Sequence, residues 1–277
     1  GNPGAVSTVD RIDYSNDTAT ASVRGPLSLT RFTLGATGNS SFGYFVGGFP
    51  GPVSTVDRID YSNDTATAST RGPLSSTRTY LAASSSQAFG GAPNTTTDPL
   101  PVYIRDATKF DDSNTLDLPF KRVLGSFGYF GCGYSTISTV DRIDYSNDLA
   151  TASVRGPLSS GEGFIAATGN SNFGYFGGGT GGVGKTLVSR IDYSNDTATA
   201  SRRGNLSFNL YTGQATGNSN FGYFGGGGFS SGITNVTRID YSNDSVKSKP
   251  ISNLIIQTSV TTSTGNSNFG YWGGGLN

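Results

Sequence analysis

Short apolar runs alternate with glycine-rich or polar turns along the whole chain. Residues 164–176 show the pattern clearly, with the apolar runs FIAAT and FGYF on either side of the turn sequence GNSN. Two short apolar runs around such a turn predict a β-hairpin. Residues 187–193 alternate in character and predict a third strand, and residues 197–202 follow a polar SND turn as a fourth strand. The pattern therefore predicts a unit of four antiparallel strands.

This unit recurs from one end of the chain to the other. The sequence RIDY occurs five times, beginning at Arg11, Arg58, Arg142, Arg190 and Arg238, and a degenerate copy (KFDDSN) begins at Lys109. The FGYF-like run with its glycines also occurs six times, at residues 42–48, 88–91, 127–133, 173–179, 221–228 and 269–275. The third strands are predicted at residues 7–15, 54–62, 103–112, 138–146, 187–194 and 235–242. Repeats of this size indicate a repeat architecture such as a β-propeller.

The two ends of the sequence complement each other. It opens just ahead of a third strand and stops just after a second strand, so the last two strands are predicted to pair with the first two. Such pairing removes the free sheet edges that an open array exposes. The prediction is an all-β fold, a single domain over residues 1–277 that forms a closed six-bladed β-propeller of four-stranded antiparallel blades. An open solenoid is the alternative, and it would require capping repeats.

Composition removes several classes of function. The chain has 277 residues, 41 glycines, zero formal net charge and no histidine. Without a basic tract, an electrostatic grip on nucleic acid is not expected. No apolar run approaches the roughly 20 residues of a membrane-spanning helix, so no membrane insertion is expected. The absence of histidine excludes Ser-His-Asp and Cys-His catalysis and histidine-bearing metal centres. The chain begins at glycine and lacks methionine, which is typical of a processed product or an excerpt.

The remaining candidate chemistry is sparse. Glu162 is the single glutamate and stands between two glycines, so it is predicted to be a solvated loop residue rather than a catalytic acid. Residues 179–186 match the G-x-x-x-x-G-K-T phosphate motif, but the predicted strand that follows is not the helix that this motif requires. Cys132 replaces a glycine of other repeats and is expected to be small and buried. No catalytic, cofactor-binding or metal-binding residue is predicted, and the chain is not expected to be an enzyme.

The charges of the third strand recur with the repeat. A basic residue and an aspartate two positions apart face the same side of a strand. Paired within or between blades they are structural, because buried charges are tolerated only when they are paired; the alternative is a ring that grips a charged ligand. The tyrosines of the second strand are expected to pack between blades, and the SND sequences to be plain connecting turns rather than cation sites. The predicted structural charge pairs are Arg11 with Asp13, Arg58 with Asp60, Lys109 with Asp111, Arg142 with Asp144, Arg190 with Asp192, and Arg238 with Asp240.

The repeat resembles a known family of propeller repeats. A strand that ends in two glycines, the V-x-R-I-D-Y sequence, and P-L-S followed by Arg31 or Arg78 are similar to the kelch repeat of β-propellers. Kelch units usually carry a tryptophan after the polar turn. This chain has alanine or threonine there, and its single tryptophan, Trp272, lies in the glycine strand. The sequence of the repeat also resembles repeat-rich structural proteins of marine bacteriophages, particularly cyanophages, in the segments DRIDYSNDTATASVRGPLS and GNSNFGYFGGG. That resemblance implies a virion or appendage protein.

Nearly identical blades favour a scaffold over an enzyme, because catalysis needs unlike residues at one point. The predicted function is a non-enzymatic structural or interaction module of a virion appendage, such as a fibre, tail or surface decoration, located in the virion or outside the cell. Its expected partners are other structural proteins of the assembly or further copies of itself. The alternative is a lectin-like propeller that binds host or extracellular polysaccharide in the central cleft or between blades. The insertion at residues 92–101 occurs in one unit and is the candidate contact loop, with its central residues Asn94, Thr95, Thr96, Thr97 and Asp98.

Overall fold

Nearly all regular structure in the protein is β-strand. The computed structural model describes residues 4–13, 18–86, 127–134, 137–180, 185–228, 232–258, 262–265 and 268–274. Within these residues there are twenty strands, β1 to β20, and three 3-10 turns at Tyr61–Asn63, Tyr193–Asn195 and Tyr241–Asn243. The all-β prediction is therefore confirmed for the part of the chain that the structure describes.

The strands form four antiparallel sheets of four strands and two sheets of two strands. Sheet I contains β3 (Gly35–Gly38), β4 (Phe42–Val46), β5 (Val56–Asp60) and β6 (Ser69–Thr70). Sheet II contains β7 (Ala82–Ser85), β8 (Phe127–Gly131), β9 (Val140–Asp144) and β10 (Ser153–Arg155). Sheet III contains β11 (Ile165–Gly169), β12 (Phe173–Gly178), β13 (Val188–Asp192) and β14 (Ser201–Arg202). Sheet IV contains β15 (Gln214–Gly217), β16 (Phe221–Gly225), β17 (Ile233–Asp240) and β18 (Lys249–Thr258). The N-terminal half-sheet pairs β1 (Val9–Arg11) with β2 (Ser22–Arg24), and the C-terminal half-sheet pairs β19 (Thr262–Gly265) with β20 (Gly270–Gly273).

Sheets I, III and IV begin with the predicted hairpin. In sheet III, Thr168 lies opposite Tyr175, and the asparagine that opens the GNSN turn organises the reversal. The Asn170 Oδ1 atom accepts hydrogen bonds from the backbone N–H groups of Asn172 and Phe173 at 2.9 and 3.0 Å. Asn39 and Asn218 make the same two bonds in sheets I and IV. A side-chain acceptor that satisfies turn N–H groups explains why these four residues reverse the chain.

The first strands of successive sheets lie side by side. The Ser85 hydroxyl on β7 donates to the Gly38 carbonyl on β3 at 3.2 Å, and the Ser84 hydroxyl donates to the Thr168 carbonyl on β11 at 3.3 Å. The Ser263 hydroxyl on β19 donates to the Ala215 carbonyl on β15 at 2.9 Å. The sheets thus follow one another in chain order around their first strands, which is a propeller-like arrangement.

Apolar cores fill the spaces between neighbouring sheets. The core between sheets I and II joins Tyr44, Val56 and Leu74 to Phe130 and Ile143. Similar cores lie between sheets II and III and between sheets III and IV. The link from one sheet to the next runs through the RG sequence of each repeat. There the backbone lies so close to a turn of the next sheet that only glycine fits. A Cβ atom on each of these glycines would lie 1.8 or 1.9 Å from a backbone carbonyl of the next sheet, at Gly25, Gly72, Gly156 and Gly204.

The predicted third strands agree with the structure wherever it describes them. They are β1, β5, β9, β13 and β17, whereas the sixth predicted block at 103–112 lies outside the described residues. The second strand expected at 88–91 also lies outside them, and β7 pairs directly with β8 instead. The described strands therefore comprise four full units and two separate half-sheets. β1 and β20 belong to separate two-stranded sheets, so the predicted pairing of the two ends is not observed.

Candidate functional site

One aspartate in the turn after each of the third strands β5, β9, β13 and β17 gathers donors from the preceding sheet. In sheet II this residue is Asp148, whose side chain is 7% exposed. Its carboxylate accepts hydrogen bonds from the Tyr44 hydroxyl at 2.7 Å and from Arg58 Nη1 at 2.8 Å, both in sheet I. Arg71 at the end of sheet I places its Nε atom 3.6 Å from the same oxygen. A single carboxylate therefore joins three strands of one sheet to the next.

The same arrangement recurs, and we call these residues the aspartate nodes: Asp64, Asp148, Asp196 and Asp244. Asp196 accepts from Tyr129 at 2.9 Å and from Arg142 at 2.7 Å. Asp244 accepts from the tyrosine and the arginine of sheet III, both at 2.8 Å. Asp64 joins sheet I to the N-terminal half-sheet through Arg11 at 2.7 Å and Arg24 at 3.3 Å.

The tyrosines of the nodes are fully buried and stack on tyrosines of the next sheet. The ring centroids of Tyr44 and Tyr145 lie 4.8 Å apart, and those of Tyr129 and Tyr193 lie 4.6 Å apart. The pair of sheets III and IV repeats this contact at 4.6 Å. Burial, together with the nearby carboxylate, raises the pKa of Tyr44 and of Tyr129, so both hydroxyls stay protonated and donate. The prediction that these tyrosines pack between sheets is confirmed for three of them.

In the predicted charge pairs on β5, β9 and β13, the arginine and the aspartate contact different partners and not each other. Arg58 and its equivalents in β9 and β13 reach the node of the next sheet rather than the aspartate two positions along. Asp60 instead accepts from the N–H and hydroxyl groups of Ser62 at 2.9 and 2.6 Å, and these bonds lower its pKa. The guanidinium of Arg238 lies over the ring of Phe221 at 4.3 Å. The residues that repeat the serine contact are Asp144, Asp192 and Asp240. Arg11 is in the first node, Asp13 follows β1, and Lys109 and Asp111 lie outside the described residues.

Two buried ion pairs were missed by the sequence argument. Arg31 bonds Asp57 at 2.5 Å in sheet I, and Arg78 bonds Asp141 at 2.6 Å in sheet II. All four side chains are at most 1% exposed. Burial lowers the pKa of Arg31, and the Asp57 charge opposes that shift.

A signal for these pairs was present in the repeat. At the positions equivalent to the arginine and the aspartate, sheet III carries Glu162 and Ser189, and sheet IV carries Leu210 and Thr237. Arginine and aspartate are thus replaced together in both sheets. Residues that change in step between repeats of one chain indicate a direct contact.

The expectation for Glu162 was wrong, because the residue is only 4% exposed. It occupies the place of the buried arginines, and its Oε1 atom accepts a hydrogen bond from Lys185 Nζ at 2.6 Å. Lys185 is the lysine of the phosphate-like motif, and strand β13 follows it rather than a helix, as predicted. Cys132 is buried as expected, and burial raises the pKa of its thiol to about 12. The Glu162 carboxylate and the Cys132 thiol are therefore both part of the buried packing of the sheets.

An open basic cleft lies where sheet III meets sheet IV. It encloses about 430 Å³, within the range of about 300–1,000 Å³ that ligand sites occupy. Its walls are the end of β14, the link to sheet IV and the turn before β18. The polar residues that line it are Thr186, Arg202, Arg203, Asn205, Ser245 and Lys247.

The remaining observations concern metal sites, membrane spans, the candidate contact loop and known proteins. Among the described residues, no three of the histidine, cysteine, aspartate and glutamate side chains are grouped so that they could hold a metal ion. The described part of the chain also contains no helix with the length and apolar character needed to span a membrane. The candidate contact loop at residues 92–101, with Asn94 and Asp98, lies outside the described residues. No protein-family model matches the chain, and a search of curated proteins found no match.

Proposed function

We propose that the chain is a non-enzymatic structural module whose repeated charges hold sheets together. The observation that carries this proposal is the aspartate node, in which the most regularly repeated ionic groups meet each other across a sheet boundary. Asp148 and Asp196 each have their charge met by two arginines and by a buried tyrosine hydroxyl. A carboxylate satisfied in this way stabilises a contact and is not available to a substrate.

The two half-sheets support a closed propeller. Ile12 on the segment after β1 is 57% exposed, whereas its equivalents Ile59 and Ile143 are 6% and 3% exposed. Tyr271 on β20 is 55% exposed, whereas Tyr44, in the same place in sheet I, is fully buried. Pairing of β20 with β1 would bury both residues and complete a four-stranded blade.

The other sheets set the register of that pairing. Tyr44 lies opposite Arg58, and the same tyrosine and arginine positions face each other in sheets II, III and IV. We therefore expect Tyr271 to lie opposite Arg11, with its hydroxyl directed at Asp64. The described strands would then supply five blades of the ring, and the sixth unit counted in the sequence falls between β7 and β8, within residues 87–126, outside the described residues. The degenerate copy that made the sixth unit lies within that segment.

The expected partners are neighbouring proteins of the same assembly. Ile251, Ile255 and Ile256 on β18 are 42%, 100% and 58% exposed. Adjacent exposed apolar side chains on one strand are typical of contact surfaces. Together with the likeness of the repeat to structural proteins of marine bacteriophages, they support a role in a virion appendage or another extracellular assembly.

Cross-linking mass spectrometry on intact particles that carry the chain tests this role. We expect cross-links from Lys247 and Lys249, which precede the exposed isoleucines in the sequence, to other structural proteins or to further copies. An Ile255→Ser, Ile256→Ser variant should fold and lose those cross-links. Recovery of the native chain as a free monomer, with no cross-links to other proteins, would overturn the proposal.

A further inference from the structure

The residues that line the basic cleft between sheets III and IV differ from those at the equivalent positions of other sheets. Arg202 occupies the position of Thr70 in sheet I and of Val154 in sheet II. Lys247 occupies the position of Thr151 in sheet II and of Thr199 in sheet III, and Asn205 replaces a proline found at all three earlier links. Three departures from the repeat thus line one cavity. Unlike groups that converge at one place are what a specific binding site requires and what the rest of the repeat lacks.

The added charges are not used by the fold. Arg203, which is part of the Asp244 node, has its equivalents in the other sheets. Arg202 and Lys247 are exposed, and neither forms an ion pair within the described residues. Arg202 and Lys247 line the same cleft as Arg203, whose charge is met by Asp244, so the two added cations leave the cleft with positive charge that a bound anionic group can neutralise.

The neutral groups of the cleft suit a sugar. The Asn205 amide and the Ser245 hydroxyl both donate and accept hydrogen bonds, as sugar hydroxyls do. Asn205, Ser245 and Lys247 are all exposed, so the cleft opens to solvent and can admit one residue of a longer chain. We propose that this cleft binds an acidic saccharide, with Arg202 and Lys247 on its carboxylate or sulfate group and Asn205 on its hydroxyls. The site adds a binding activity to the structural role and does not depend on it.

Calorimetric titration of the full chain at low ionic strength tests the site. The probes are a uronate oligosaccharide, a sulfated oligosaccharide, a neutral glucan of equal length and inorganic phosphate. We expect saturable binding of at least one acidic oligosaccharide with one site per chain, no binding of the glucan, and weakening by added salt. Phosphate alone should bind at least about tenfold more weakly, because it lacks the contacts of the sugar hydroxyls.

The repeat supplies variants that should not disturb folding. Arg202→Val and Lys247→Thr introduce residues that the chain already carries at equivalent positions, and each should weaken binding about tenfold through loss of one charge-assisted contact. Arg202→Lys should retain most of the affinity. Lys249→Ser removes a positive charge from a residue that does not line the cleft and should change affinity less than about twofold.

A gain of binding provides the second measurement. Val154→Arg with Thr199→Lys introduces both cations into the cleft between sheets II and III, and the stoichiometry should rise from one site towards two. The proposal is overturned if no acidic oligosaccharide binds, if the Arg202→Val, Lys247→Thr double variant binds as the unchanged chain does, or if the glucan binds equally well. Phosphate binding as tight as that of the oligosaccharides would show a simple anion site and would also overturn it.

Discussion

Replacement of Tyr129 by phenylalanine isolates one hydrogen bond of an aspartate node. The Tyr129 ring is fully buried and its hydroxyl donates to Asp196 at 2.9 Å. The variant keeps the stack on Tyr193 and the bond from Arg142 to Asp196, so only one bond to a charged acceptor is lost. Hydrogen bonds to charged groups contribute about 1.5–3 kcal/mol. Because Asp196 keeps its other donors, we expect the free energy of unfolding to fall by about 2 kcal/mol.

Urea unfolding followed by circular dichroism measures this loss. The midpoint should fall while the slope with urea concentration stays unchanged, since the surface exposed on unfolding is the same. Tyr134→Phe is the matched control, because Tyr134 is 59% exposed, and it should change the free energy by less than about 0.5 kcal/mol. Tyr44→Phe, in the node of sheet II, should repeat the loss. A loss for Tyr129→Phe no larger than that of the control would refute the structural role of the nodes.

Three further changes test the packing between sheets. Gly156→Ala should destabilise the chain by at least about 3 kcal/mol in urea unfolding, because the new Cβ would lie 1.9 Å from the Ala198 carbonyl oxygen. Arg78→Leu should cost about 3–5 kcal/mol, because Asp141 would be left as an unpaired buried charge, and adding Asp141→Thr should recover most of that loss. Burial raises the pKa of Tyr145 to about 12 from an unfolded value near 10, so its contribution to stability is complete below about pH 10 and is lost as pH rises towards 12. Tyr145→Phe should reduce, but not abolish, that alkaline loss in unfolding measured as a function of pH, because other buried tyrosines such as Tyr44 and Tyr129 also have raised pKa values.

Each of these predictions has a result that would contradict it. Gly4→Ala adds a methyl group in open space and should be neutral, so an equal effect at Gly156 would refute the close approach. If the Arg78→Leu, Asp141→Thr double variant does not recover stability, the loss in Arg78→Leu does not come from an unpaired Asp141 charge. An alkaline loss that is identical with and without Tyr145 would assign it to other groups.

The architecture of each sheet was predictable from the sequence because it depends on local chemistry. The GNSN turn, the alternation in the third strand and the polar turn after it each act within a few residues of the chain. The hairpin of residues 164–176 and the third strand of residues 187–194 accordingly lie where the alternation placed them. Even the stacking of Tyr129 between sheets follows from a residue that repeats at one position of a buried strand.

The contacts between sheets were harder to predict from the sequence, because spacing along the chain does not encode distance in space. Arg58 and Asp60 share a strand face, yet Arg58 bonds Asp148, ninety residues away. The pairing of β7 with β8 brings together strands on either side of residues 86–126, which the spacing of the repeat did not indicate. Glu162 was misjudged since its flanking glycines suggested exposure, although its equivalents are buried arginines. Comparison of repeats position by position would have placed it in the core.

Pairing between the two ends of the chain is the most direct test of the proposed ring. If β20 pairs with β1 in the register of the other sheets, where Ser189 lies opposite Phe176, Asp10 and Trp272 would face each other. Cross-strand Cα atoms lie about 4.5–5.5 Å apart, within the span of a disulfide. Asp10→Cys with Trp272→Cys should form a disulfide within one chain, seen as a monomer with the cross-linked peptide in mass spectrometry, while Asp10→Cys with Gly274→Cys should not. A disulfide-linked dimer, or no more disulfide than in the Gly274 control, would contradict closure of the ring.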